Sequence, residues 1–149
     1  MGWLRSPAER IRTFSRLTSS ERTLFLQAWI SLIRMDITLR IVPVKRLLDR
    51  YSSRRTEQMD IPEEETEAFI SRAAWLVESA GRFAPIRTTC LKESLVLSRI
   101  LDRNNIDTEL RIGVTRTGEH LKAHAWLERN GVPIFGYDPE DGYQPLAPS

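Results

Sequence analysis

The sequence predicts an α+β fold, helices first and a small antiparallel meander after them. Three observations carry this. Up to about residue 102, apolar residues recur at three- and four-residue spacing. In "DTELRIGV" they alternate instead, with Leu110, Ile112 and Val114 on one side. Asn130-Gly131, a two-residue hairpin signal, then separates "LKAHAWLE" from "VPIFGYDP".

The elements follow in order. Thr18 and, three residues later, Glu21 fit a capping box, with Ser19 or Ser20 as alternative caps. Phe25, Trp29, Leu32, Ile33 and Ile37 form the apolar side of the helix that follows, and Pro43 ends or kinks it. "VKRLLDRYSS" reads as a second, shorter helix, and "RRTEQMDIP" as a polar linker. Pro62 suits a first helical turn, and Glu63, Glu64 and Glu65 suit the positive end of a helix dipole. Phe69, Ala73, Leu76 and Val77 are that helix's apolar stripe, and Gly81 is its expected C-cap. The next helix starts at Thr88 or Thr89, carries Cys90, Leu91, Leu95, Leu97, Ile100 and Leu101, and ends at Arg103 to Asn105. "TRTGE" is a turn. No internal repeat or low-complexity segment interrupts the chain. Residues 1–58 are expected to form a helical N-terminal segment able to dock a partner, and residues 59–149 the core.

The bulk composition narrows the function classes. The 149 residues, 41% hydrophobic and 28% charged, suit one soluble domain. A chain of that length buries roughly two-thirds of its unfolded surface and needs no staples. One cysteine forms no internal disulfide and no multi-cysteine zinc site, which favours a reducing compartment. With only His120 and His124 besides, no metal centre and no cofactor is expected, and no phosphate loop is present. A net charge of +2 from 22 basic and 20 acidic residues is a weak case for nucleic acid despite a pI near 9.0. The start has no signal-peptide core, and the longest apolar region is broken by Arg34, Asp36, Arg40 and Lys45. A cytoplasmic protein without a membrane span is expected.

Three residues carry chemistry. Cys90 stands at a helix N-terminus, where unpaired N–H groups and partial positive charge favour the thiolate, the reactive form. The same N–H groups can hold an oxyanion. His124, in "HAW", stands mid-strand, where it can take and return a proton. Asp138, in "YDP", ends the next strand, where it can bind the other ring nitrogen. With Asn130-Gly131 as the turn, Arg129 pairs with Val132, Leu127 with Ile134, Trp126 with Phe135 and His124 with Tyr137. Asp138 then lies one step diagonal to His124, unless Pro133 slips the register. The plain readings stand beside these: a lone cysteine packs as a small hydrophobe, a histidine as a satisfied core residue, and Asp-Pro as a turn. His120, in the Gly118 turn, is the competing base.

The stretch "CLKESLVLSRILDRNNIDTELRIGV" followed by "HAWLERNG" and "DP" resembles the transglutaminase-like cysteine peptidases that remove the leader from lasso peptide precursors. The match is close from Arg87 to Pro139, through Cys90, Leu91, Ser94, Leu95, Gly113, His124, Ala125, Trp126, Glu128 and Gly131. The resemblance implies a transglutaminase- or papain-like core with Cys90 as nucleophile, His124 as base and Asp138 as third member of a triad. The His–Asp spacing here is 138 − 124 = 14, with Asp141 as fallback should the strand bulge at Gly136. It also implies three partners: the precursor peptide, a separate leader-binding domain and an asparagine-synthetase-like lasso cyclase. Trp29 and Met35 are candidates for the docking surface. Ser94, one turn after Cys90, and Trp126, on the strand face of His124, are expected to line the substrate site. Glu128 is a cross-strand partner or rim charge. Two other readings use the same residues: a transglutaminase-like acyl transferase or amidase, and a non-catalytic peptide-binding module.

Overall fold

Thr18 opens the helix that follows it, as its capping pattern requires. In the computed structural model, which describes residues 15, 17–43, 45–47, 62–117, 120–139 and 142–145, the Thr18 hydroxyl accepts from the Glu21 N–H at 3.3 Å. The Glu21 carboxylate accepts from the Thr18 N–H at 2.8 Å. Helix α1, Ser19–Ile41, ends before Pro43. Its buried side runs through Phe25, Ala28, Leu32 and Met35. Ile37, expected inside, is 52% exposed, because 3.6-residue periodicity puts it nearly opposite that stripe. Residues 45–47 make a helical turn with Leu47 buried. The rest of the expected second helix, most of the linker and the boundary near residue 58 lie outside the described residues.

Helix α2, Glu63–Phe83, has Pro62 at its N-cap and three glutamates in its first turn. Ile70, Ala73, Leu76, Val77 and Ala80 are buried. Gly81 does not end the helix, which continues to Phe83. Its role is spatial: a Cβ there would come 2.6 Å from Glu93 Oε1 of the next helix. Helix α3, Cys90–Asp102, starts on Thr89, whose hydroxyl accepts from the Lys92 N–H at 3.4 Å. It closes where Asn105 turns left-handed (φ 58°) and Ile106 N–H returns to Leu101 O at 3.0 Å.

The sheet follows: β1, Glu109–Thr117; β2, His120–Arg129; β3, Val132–Phe135; β4, Gln144–Pro145. The strands are antiparallel, ordered β3-β2-β1-β4. The three helices pack together and against Leu127 and Phe135, so helices and sheet share one core. Leu32, Leu76, Leu95, Leu97, Leu101 and Leu127 are completely buried, each worth roughly 1.5–3 kcal/mol.

Asn130 (φ 51°) and Gly131 (φ 76°) make the hairpin turn, and Arg129 pairs with Val132 as expected. Beyond Pro133 the expected register fails. Glu128 faces Pro133, but Leu127 faces Phe135, leaving Ile134 as a bulged residue. Proline has no N–H for the ladder, and the bulge follows directly. His120 is also not a turn residue: it is the first residue of β2, paired with Thr117.

Candidate active site

Cys90 is the first residue of α3 and is half-buried. Thr89 caps the Lys92 N–H and its carbonyl accepts from the Glu93 N–H at 3.1 Å. The N–H groups of Cys90 and Leu91 are left as the donors of the helix end. Lys92 anchors this end to α1: its ammonium donates to Asp36 Oδ1 and to the Arg87 carbonyl, both at 2.6 Å. Asp36 is thereby buried, and the Lys92 hydrogen bond holds its carboxyl below the ordinary carboxylate range, assisted by Arg40. Glu93 is pushed the other way, upward, by burial against α2, opposed by its hydrogen bond to Thr88.

Two serines set how α3 lies along the sheet. Ser98 Oγ meets Thr108 Oγ1 at 3.0 Å, just before β1. Ser94 Oγ, fully buried, donates to the Ala125 carbonyl at 3.3 Å. Stepping back along the helix from Ser98 to Ser94 to Cys90 therefore moves from the Glu109–Glu128 end of the sheet to Ala125 and onward. Cys90 lies one further turn on, about 6 Å along the helix axis from Ser94. Ser94 thus supports the Cys90 helix against the strand that carries His124.

His124 faces Gly113 across β1 and β2. Its Nε2 meets the carbonyl of Gly136, and its ring lies over Tyr143 with centroids 4.7 Å apart and planes at 21°. Trp126 lies further along the same strand face, 6.5 Å from His124 between centroids. Leu127 joins the helical core, whereas Trp126, 1% exposed, is buried against Gly113 and Tyr137. Its indole donates to Glu128 at 2.8 Å, and Glu128 also takes Arg111 at 3.0 Å. Glu128 is therefore a cross-strand ion-pair partner, and Trp126 a buried wall beside His124.

The expected residues fall into two sets. Ser94, one turn after Cys90, reaches β2 at the Ala125 carbonyl, next to His124, while His124 and Trp126 share the strand face opposite Leu127. No hydrogen bond joins Cys90 to His124 in this structure, among the described residues; such bonds commonly tighten only with substrate bound. Asp138 is exposed, two residues past the Gly136 carbonyl that meets His124 Nε2. Asp141 lies outside the described residues. Met35 is buried and forms no docking surface, while Trp29 is half-buried with its indole donating to the Phe83 carbonyl at 3.4 Å. The exposed aliphatics of α1 are Leu26, Ile30, Ile37 and Ile41 instead.

Sequence reasoning had Gly113 only as a residue of the resemblance and Gly136 only as a point where the strand could bulge, and it missed Tyr143. A Cβ on Gly113 would come 2.7 Å from the Trp126 ring and 2.8 Å from the Gln144 carbonyl, so glycine lets the indole and β4 close in together. Gly136 needs its left-handed φ of 78°. A glycine following a bulged strand was the one available signal. Nothing local marked Tyr143. Among the described residues no group of three or more His, Cys, Asp or Glu could hold a metal ion, and no helix is long and apolar enough to cross a membrane.

A thiol at a helix N-terminus and an imidazole on the adjoining antiparallel sheet are the parts of a thiol enzyme on an α+β scaffold. The chain belongs to the transglutaminase-like superfamily, which matches residues 29–148. Cysteine-based catalysis is common in that superfamily, and cysteine peptidases are among its members. No curated protein and no solved structure gave a significant match.

Proposed function

We propose that this protein is a cysteine peptidase that removes the leader from a ribosomally made lasso peptide precursor. The reading is supported by Cys90 as first residue of α3, whose Ser94, one turn on, reaches the Ala125 carbonyl beside His124. The substrate class rests on the resemblance of the Cys90 helix and the "HAWLE" strand. In this reading Cys90 Sγ attacks the carbonyl carbon at the leader–core junction as His124 takes the thiol proton. The N–H groups of Cys90 and Leu91 stabilise the oxyanion. The C–N bond breaks, the proton passes to the leaving amine, and a thioester remains. Water then attacks the thioester, His124 takes its proton, and the Cys90 thiol is regenerated. Asp138 stabilises the imidazolium formed in both steps. Ser94 and Trp126, expected to line the substrate site, are both fully buried and support the Cys90 helix and the His124 strand from within instead.

The partners follow from the same reading: the precursor peptide, a leader-binding domain and a lasso cyclase acting on the released core. Leu26, Ile30, Ile37 and Ile41 offer the leader-binding domain an aliphatic face.

Mass spectrometry of the cognate precursor, incubated with this chain and its leader-binding partner, tests the reading. A single cut between leader and core, absent in Cys90→Ala, is expected. An amine adduct at the junction would mark an acyl transferase instead. No product from folded protein would leave a binding module.

A further inference from the structure

We infer that the segment following β3 is a clamp for the His124 ring, with the Gly136 carbonyl selecting its tautomer and Tyr143 fixing its plane. The inference rests on the proposed role of His124 as base and deepens it. His124 Nε2 meets the Gly136 carbonyl. A carbonyl only accepts, so neutral imidazole in this position carries its proton on Nε2. Nδ1 is then the basic nitrogen that receives the Cys90 proton, and Asp138 acts on the imidazolium by its charge rather than as the acceptor of a ring N–H.

The carbonyl is presented by a built feature. The Ile134 bulge shortens β3, and Gly136 at φ 78° turns the chain out of the ladder. A Cβ at Gly136 would press the Ala125 carbonyl at 3.3 Å, the same carbonyl that Ser94 holds. The chain then returns as β4, pairing Gly113 with Pro145 and Val114 with Gln144. Since Gly113 also faces His124, β4 brings Tyr143 to the histidine's own level in the sheet. The near-parallel Tyr143 ring resists rotation of His124 about χ2, which otherwise has a broad, shallow minimum. Tyr143 is a positioning residue: it acts through His124.

The test uses the full chain with ¹⁵N-labelled histidine, where His120→Gln leaves His124 as the only histidine. The neutral ring is expected as the Nε2–H tautomer, with its ring protons shifted upfield by Tyr143. Tyr143→Phe keeps both signatures. Tyr143→Ala loses the upfield shift and mixes the tautomers; Tyr143→Leu, which fills the space without a ring, does the same if the alanine variant does not fold. In leader cleavage, Tyr143→Ala or Tyr143→Leu lowers kcat about tenfold, a part of the roughly 10²–10⁴-fold that a positioned base contributes, leaves KM nearly unchanged, and is rescued by Tyr143→Phe. An Nδ1–H tautomer in the wild type, or unchanged His124 signals in a folded Tyr143→Leu variant, would overturn the clamp. Because the spectra need no substrate, a clamp confirmed in a protein that cuts nothing would instead condemn the peptidase reading.

Discussion

The Lys92 ammonium meets the Asp36 carboxylate at 2.6 Å, joining the first turn of the Cys90 helix to a residue 56 positions earlier on α1. Asp36 sits on α1, and Lys92 also ties down the Arg87 carbonyl, so one side chain fastens both the approach to Cys90 and the helix end itself. The Cys90 helix is thus held from two sides, by Lys92 to Asp36 of α1 and by Ser94 to Ala125 of β2.

Removing this anchor is expected to act on both stability and reactivity. Asp36→Ala leaves a mostly buried ammonium without its counter-charge, which costs more than removing the pair together. Thermal denaturation should show a lower Tm for Asp36→Ala than for Asp36→Ala combined with Lys92→Met. Alkylation of Cys90 by iodoacetamide should slow in the first and partly recover in the second. Equal rates and equal Tm values in the two variants would remove the anchoring role.

Acid stability should carry the signature of depressed carboxylates. Asp36 is lowered from its ordinary 3.8 by Lys92, and Glu21 from 4.5 to about 2 by Arg72 and the Thr18 cap. A carboxyl whose folded value lies below its unfolded one adds stability above the unfolded value and loses it as pH falls through the folded value. For Glu21 that window runs from about 4.5 down to about 2. Glu21→Gln is therefore expected to lower stability at neutral pH and flatten its dependence in that window, read by urea denaturation at stepped pH.

The helix caps give a calibrated pair. Thr18→Ala removes a capping box remote from the site and is expected to cost about 1 kcal/mol in denaturant unfolding, with cleavage kcat unchanged. Thr89→Ala has a similar cost in stability. It should also lower kcat, because it frays the turn that carries Cys90 and the oxyanion donors. Equal effects of the two variants on kcat would separate the Cys90 turn from the chemistry.

Two glycines should respond oppositely to alanine. At Gly113 the added carbon meets the Trp126 ring and the backbone of β4, neither of which can step aside. Gly113→Ala is expected to cost roughly 1–3 kcal/mol and to release Tyr143 from His124, seen as loss of the upfield histidine shifts. At Gly81 the added carbon meets the movable end of Glu93. The gain in helix propensity, about 1 kcal/mol, offsets that displacement, so Gly81→Ala should stay close to wild-type stability.

The local sequence determined the parts that depend on a few neighbouring residues. Thr18 with Glu21 specified one helix start and Thr89 another, because a capping hydroxyl reaches N–H groups only two or three residues on. Asn130-Gly131 specified the hairpin, since its turn needs left-handed φ at both positions. With Cys90 at one helix end and His124 mid-strand, the candidate pair was legible too. Tertiary structure alone decided the rest. Pro133 signalled a disturbance but not that Ile134 would be the residue extruded. Gly81 read as a helix end until α3 was seen to cross it. Asp36 looked like a solvated interruption until Lys92 reached it. Above all, the Tyr143 ring meets His124 only because β4 returns along β1, a pairing between residues some thirty apart. Such contacts follow from packing and strand order, and no local pattern of residues encodes them.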